Sequence, residues 1–249
     1  MTNEIVTLIT GANQGVGFET SKELAQKGQH VLLGSRNKER GEKAVQELKK
    51  LKLNVDLIQI DVTDKTSIKQ AADKINSDYG YLSVLINNAG MTNDAHQKPS
   101  LMSTDVMREE YNVNFFGLID VTQAMLPLLR EADSAKIINL SSNMGSLSLA
   151  SDPKSRFYQV SSLGYQSSKA AVNFATICFS KELADTNITV NSVNPGWTAT
   201  GFGGRPADAL KIPGMQEVEE GAARVVAMAS DPNNEVTGTF TENEGTLPW

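Results

Sequence analysis

Tyr165 and Lys169 stand four residues apart in the segment Tyr165-Gln166-Ser167-Ser168-Lys169. On a helix, positions i and i+4 share a face, so the ammonium sits close to the phenol. A free tyrosine, with a pKa of about 10, exchanges protons poorly at neutral pH. A neighbouring cation favours the phenolate and lowers that value. The pair is therefore a candidate proton donor and acceptor. Ordinary solvated helices also carry tyrosine and lysine at this spacing, so its meaning depends on the elements around it.

Those elements alternate. Apolar runs at 5–9, 31–33, 55–60, 84–86, 137–140 and 188–193 read as buried strands. Amphipathic stretches at 15–27, 39–50, 65–78, 104–130, 162–184 and 217–230 read as helices, with a last strand near 238–240. Strands separated by helices imply right-handed crossovers and a mostly parallel sheet covered on both faces. The expected fold is a three-layer, doubly wound α/β domain of Rossmann type, spanning 1–249 as a single unit. Two irregular stretches interrupt the alternation, one at 143–160 and the other at 201–214. Long loops in compact α/β domains are commonly functional.

Gly11, Gly15 and Gly17 lie in the segment Thr10-Gly11-Ala12-Asn13-Gln14-Gly15-Val16-Gly17, between the first strand and the first helix. A dinucleotide-binding loop needs that context: glycines admit a tight turn and close backbone approach, and a helix N-terminus favours pyrophosphate. A glycine cluster alone could be a plain strand-to-helix turn.

The glycine spacing together with the Tyr165/Lys169 pair resembles the main branch of the short-chain dehydrogenase/reductase family. Further landmarks follow in the family's order: Asp61, Asn87-Asn88-Ala89-Gly90, Asn114, Ser142 and Pro195-Gly196. The resemblance covers essentially the whole chain. It implies a nicotinamide coenzyme, bound in part by Gly11, Asn13, Gln14, Gly15, Val16 and Gly17. Asp61 and Val62 would contact adenine, and Asn88, Ala89 and Gly90 the adenosine ribose, while Asn87 braces the sheet. Pro195, Gly196, Trp197, Thr198 and Thr200 would orient the nicotinamide carboxamide.

An acidic residue at the end of the second strand would bind the ribose 2′-OH and repel a 2′-phosphate. This chain has Ser35 and Arg36 there. A guanidinium suits phosphate, and Ser35 offers a hydroxyl. NADP(H) is thus expected over NAD.

By the same resemblance, Tyr165 is the general acid in carbonyl reduction and the base in alcohol oxidation. Lys169 lowers its pKa and holds the nicotinamide ribose. Ser142 bonds the substrate oxygen, with alignment favouring it over Ser141, and Asn114 anchors a water on the proton path. Tyr158 lacks a cation four residues on. Ser142 and Tyr165 are 23 positions apart, more than in the shorter family members, and a related but longer enlargement occurs in carbonyl reductases. The extra segment, with Asp152, Lys154, Arg156 and Phe157, would cap the pocket or alter an oligomer surface. The family forms dimers and tetramers.

Composition sets outer bounds. Of 249 residues, 40% are hydrophobic and 21% charged, ordinary for a soluble protein. A net charge of -6 argues against nonspecific nucleic-acid binding. One cysteine and two histidines leave no disulfide framework and no metal-ligand cluster. Cys178, inside an apolar stretch, is expected to pack in the core. His30 and His96 are not expected to act in catalysis. No apolar run is long enough to span a membrane, and a cytoplasmic protein is the default.

The expected activity is interconversion of a carbonyl and an alcohol on a small or medium, hydrophobic molecule. Met91, Met144, Trp197 and Phe202 are candidate pocket walls. A non-catalytic NAD(P)-sensing regulator on the same fold is the alternative, disfavoured because every expected catalytic side chain is present. Epimerisation or dehydration on this scaffold is disfavoured by the glycine spacing.

Overall fold

The computed structural model describes residues 4–94, 96–206, 210–233 and 235–249. Its order begins β1 (Val6–Ile9), α1 (Gly15–Gln26), β2 (His30–Ser35), α2 (Lys38–Lys50), β3 (Val55–Gln59), α3 (Lys65–Asp78) and β4 (Val84–Asn87). It continues with α4 (Thr104–Tyr111), α5 (Gly117–Arg130), β5 (Ala135–Leu140), α6 (Leu147–Ser151), α7 (Leu163–Glu182) and β6 (Ile188–Val193). α8 (Val218–Ser230), β7 (Phe240–Glu242) and β8 (Gly245–Thr246) close the chain.

The strands form one sheet in the order β3-β2-β1-β4-β5-β6-β7-β8. All pairs are parallel except β7 with β8. β1, β2, β4 and β5 are buried along their whole length, which explains their nearly unbroken apolar sequences. One core packs Ile68 and Ile75 of α3 and Val121 and Met125 of α5 against the sheet. The other packs Leu24 of α1, Leu48 of α2 and Val225 of α8 on the opposite face. α2 shows why such helices dock: Gly41, Ala44, Val45 and Leu48 make one buried stripe at helical spacing.

β1 has β2 on one side and β4 on the other, so successive crossovers leave it in opposite directions. A crevice opens where they part, beyond the carboxyl ends of the strands, and that is where ligands bind in open α/β sheets. A polar chain ties the central strands beneath it. Asn87 Nδ2 donates to Asn139 Oδ1 at 2.9 Å and to Thr122 Oγ1 at 3.0 Å. Asn139 Nδ2 donates to Thr176 Oγ1 at 2.9 Å, and that hydroxyl lies 2.8 Å from Ser192 Oγ. Asn87 thus braces the sheet.

Four expectations need correction. The helix expected at 104–130 contains a π turn, Asn112–Phe116, between α4 and α5. The stretch at 143–160 is not wholly irregular; a 3₁₀ turn at Asn143–Gly145 and α6 occupy its first part. β8 is an unforeseen two-residue edge strand, too short for any sequence period to announce. Cys178 is exposed rather than buried, because α7 keeps an apolar outward face on which Phe174 is 67% exposed. No described helix is long and apolar enough to cross a membrane.

Candidate functional site

The crevice is a cleft of about 1220 Å³ running from the glycine loop to the 201–214 loop. At its first end the chain turns sharply from β1 into α1. Gly15 takes φ +59°, which side chains disfavour. Asn88, at the end of β4, reaches across and donates from Nδ2 to Thr10 O at 2.7 Å and Gly11 O at 3.0 Å. A Cβ on Gly17 would lie 2.4 Å from that same Nδ2. The second helical glycine is therefore the condition for Asn88 to hold the loop. Gln14 precedes α1 without a side-chain cap, leaving the first N–H groups of the helix open toward the cleft. Such a cradle suits a pyrophosphate, so the residues present fit a dinucleotide.

At the adenosine end, Arg36 and Asp61 face the cleft with Arg36 Nε 3.9 Å from Asp61 Oδ2. Asp61 Oδ1 accepts from the amide and hydroxyl of Thr63, at 2.9 and 2.7 Å, which orients the carboxylate. Ser35 differs from expectation. It is fully buried, and its hydroxyl donates to Asn37 O at 2.8 Å and lies 3.4 Å from Asn13 Oδ1. That proton is committed inside the fold, so Ser35 presents no hydroxyl to a phosphate. Asn37 and Arg40 instead line the cleft beside Arg36. Asn37 caps α2 by accepting from Arg40 N at 2.9 Å, a contact worth about 1 kcal/mol. The sequence signal for Arg40 was available: a basic residue in the first turn after an asparagine cap.

At the other end, β5 delivers Ser141 and Ser142, and α7 delivers Tyr165 and Lys169. Ser141 turns toward α7, with Oγ 3.3 Å from Lys169 O. Ser142 lines the cleft next to the Tyr165 phenol and accepts from Met144 N at 3.2 Å. Lys169, 4% exposed, donates from Nζ to Leu140 O at 2.8 Å, and Nζ is 5.8 Å from the Tyr165 ring centre.

The electrostatics of the pair depart from the simple expectation. Burial pushes the Tyr165 phenol up to about 12, opposed by the neighbouring Ser142 hydroxyl and reinforced by Glu110 and Asp94. Burial also draws Lys169 down to about 8. Burial thus shifts each group toward its neutral form, with desolvation the largest cause for both.

Asn114, in the π turn, is 1% exposed and does not reach the cleft surface. Its Oδ1 accepts from Met91 N at 2.8 Å, and its Nδ2 donates to Met91 O at 2.9 Å and Ser168 Oγ at 3.0 Å. The side chain is a two-armed clamp on the wall after β4.

Val16, Val62, Ala89, Gly90, Pro195, Gly196, Trp197, Thr198 and Thr200 all line the cleft as expected from the sequence. Met91, Met144, Phe157, Trp197 and Phe202 give it apolar walls, with the Phe202 ring 5.7 Å from that of Tyr165. Arg156 also lines it, its guanidinium 4.8 Å from the Phe157 ring. Residues 207–209 of the expected substrate loop lie outside the described residues. Sequence reasoning set His96 aside, yet it lines the cleft with Nδ1 3.3 Å from Ser161 O. Tyr158 is not among the lining residues. It also missed Asp94 and Glu110, two buried carboxylates behind Tyr165. Their only sequence signal is acidity near motif residues, which burial alone makes meaningful.

Among known proteins, a family model described as short chain dehydrogenase matches residues 5–209. The chain is 34% identical to the short-chain dehydrogenase anuI of Penicillium roqueforti, with 97% of this chain and 95% of that protein covered. It is 32% identical to a 3-oxoacyl-[acyl-carrier-protein] reductase of Thermotoga maritima, covering 97% of each. Its fold superposes on an NADPH-bound carbonyl reductase from chicken fatty liver with a TM-score of 0.84 at 27% identity. That match covers 99% of this chain and all of the other.

Proposed function

Since the chain belongs to the short-chain dehydrogenase family, we propose that it is an NADP(H)-dependent oxidoreductase interconverting a carbonyl and an alcohol on a small or medium hydrophobic molecule. The observation that carries this reading is the Tyr165 phenol beside Ser142, in a cleft whose far end is a dinucleotide cradle.

The coenzyme, when bound, supplies or removes the hydride. The chain's own residues handle the proton and the oxygen. Ser142 and Tyr165 hold the substrate oxygen, and Tyr165 donates its proton as negative charge develops there. A phenol at about 12 is fully protonated at neutral pH, so the resting state is poised as an acid. Lys169 holds its side of the cleft through Leu140 O and supplies positive charge below its pKa of about 8. Asn114 serves by fixing Met91.

NADP preference rests on Arg36 and Arg40 at the exposed start of α2, where two guanidiniums and open helix amides suit a 2′-phosphate. The carbonyl reductase with a similar fold is NADPH-bound, which supports the same choice. Met91, Met144, Phe157, Trp197 and Phe202 favour an apolar or aromatic carbonyl compound.

The test is a panel of aldehydes, ketones and alcohols with NADPH and NADH, following absorbance of the reduced nicotinamide. Reduction of hydrophobic carbonyls, faster with NADPH, is the expected result. Equal efficiencies with both coenzymes would remove the phosphate clamp. Tight NADPH binding without turnover across the panel would favour a sensing protein.

A further inference from the structure

Two carboxylates the reaction does not use lie directly behind the catalytic tyrosine. Asp94 is 1% exposed and Glu110 is fully buried. α7 begins after Ser162, but the Ser162 side chain makes no capping bond of its own. Its hydroxyl donates instead to the Asp94 carboxylate, 2.6 Å from Oδ1 and 2.5 Å from Oδ2. The Tyr165 amide, one of the open donors of the first turn, points at Asp94 Oδ2 at 3.3 Å across 71 residues of chain. Asp94 Oδ1 also accepts from His96 N at 3.2 Å.

Asp94 is itself fixed by Glu110. Glu110 Oε1 accepts from Asn93 N at 2.6 Å and Asp94 N at 3.1 Å. Its Oε2 has no hydrogen-bond partner among the described residues. That oxygen lies against Gly164, where a Cβ would stand only 2.1 Å away. The residue before the catalytic tyrosine therefore has no side chain because Glu110 occupies the space. Burial, and the Asp94 charge beside it, push the Glu110 carboxyl up.

We propose that Asp94, locked in place by Glu110, is the positioning residue of the catalytic tyrosine. It caps the first turn of α7 from a distant loop and sets where the Tyr165 hydroxyl stands against Ser142. A negative charge at a helix N-terminus is favourable, so the device stabilises the helix end while fixing the proton donor. The same charge opposes phenolate formation and keeps Tyr165 in its acid form. The charged or titratable groups beside Tyr165 are Lys169 on its own helix, Glu110 on α4 and Asp94 on the loop after β4. This inference rests on Tyr165 being the proton donor, but the capping contact is testable without turnover.

The experiment compares wild type, Asp94→Ala, Asp94→Asn and Ser162→Ala by hydrogen exchange of the Tyr165 amide in coenzyme-free protein. It also measures kcat, KM and the pH profile of NADPH-linked reduction of 4-nitrobenzaldehyde. Asp94→Ala should speed exchange at Tyr165 and lower kcat about tenfold with KM nearly unchanged, the loss expected for a misplaced donor. Asp94→Asn keeps an acceptor without the charge. It should restore protection and most of kcat, and move the alkaline limb of the pH profile to lower pH. Ser162→Ala should give a milder form of the Asp94→Ala exchange change, and it serves if Asp94→Ala does not fold. Unchanged Tyr165 exchange in both Asp94→Ala and Ser162→Ala would overturn the proposal. So would faster exchange spread evenly over the chain, with Asp94→Asn no better than Asp94→Ala. Retained kcat in Tyr165→Phe would instead refute the assigned chemistry, whatever the exchange shows.

Discussion

The two ends of the cleft are built on opposite principles. At the tyrosine end, Ser142 follows β5, Tyr165 and Lys169 come from the first two turns of α7, and Lys169 is 4% exposed. At the adenosine end, Arg36 has a side chain 74% exposed and its nearest ion-pair partner, Asp61, is 3.9 Å away. Water screens the second end, while at the first Lys169 is buried and Tyr165 partly buried. Desolvation therefore dominates the acid–base behaviour of Tyr165 and Lys169, whereas Arg36 and Arg40 are solvated charges. Under the proposed function, one cleft would separate its tasks by burial: proton control where charge is costly, coenzyme choice where charge is cheap.

Substitutions can break or sharpen that contrast. The largest effect is expected from Tyr165→Phe, which keeps the ring but removes the proton. kcat should fall by about 10²- to 10⁴-fold, with NADPH affinity nearly intact by fluorescence titration. Loss of NADPH binding instead would mean the two ends are not separable. Next, Arg36→Ala combined with Arg40→Ala should lower the kcat/KM preference for NADPH over NADH by about tenfold or more. NADH kinetics should barely change, and the NADPH loss should shrink in high salt. A loss shared equally by both coenzymes would place these arginines in structure rather than in phosphate recognition.

Gly17→Ala probes the join between the ends, because the added methyl would meet Asn88 Nδ2 at 2.4 Å. Coenzyme affinity should weaken several-fold, with a lower Tm typical of overpacking, about 1–3 kcal/mol. An unchanged Kd for NADPH would show that Asn88 does not hold the loop.

The smallest effect concerns Lys169. Its folded pKa of about 8 lies below its ordinary 10.5, so between those values the unfolded chain binds the extra proton. Stability from this group therefore rises with pH from about 8 to 10.5, and its burial cost is fully present below pH 8. Denaturant unfolding of wild type and Lys169→Met should show a stability difference that changes across that window. A difference independent of pH would contradict the buried, easily discharged ammonium.

Much of this was legible because buried elements write their environment into sequence. The apolar strands and the glycine, NNAG-type and Tyr/Lys segments placed the crevice and most of its lining. What was not legible depends on contacts between distant segments. Ser35 reads as an available hydroxyl until the fold commits it to Asn37 O. The sequence marks Asn114 as polar inside a helix, but only the π turn shows that it clamps Met91. Asp94 and Glu110 look like surface acids, since nothing local announces that they are buried together. The direction of the Tyr165 shift depends on the fold for the same reason: spacing gives proximity to a cation, and burial gives the loss of water that raises the pKa.

The amide ladder through Asn87, Asn139, Thr176 and Ser192 has a consequence for how the molecule assembles. In the sheet Asn87 stands opposite Asn139, and Asn139 opposite Ser192. A slip of a single position between neighbouring strands would throw these groups to the opposite layer, among aliphatic side chains with no donors or acceptors to meet them. Asn88 and Ser142, which follow directly on those strands, would be misaligned by the same step. The ladder thus works as a checksum on alignment, rejecting near-correct pairings before a defective crevice can form.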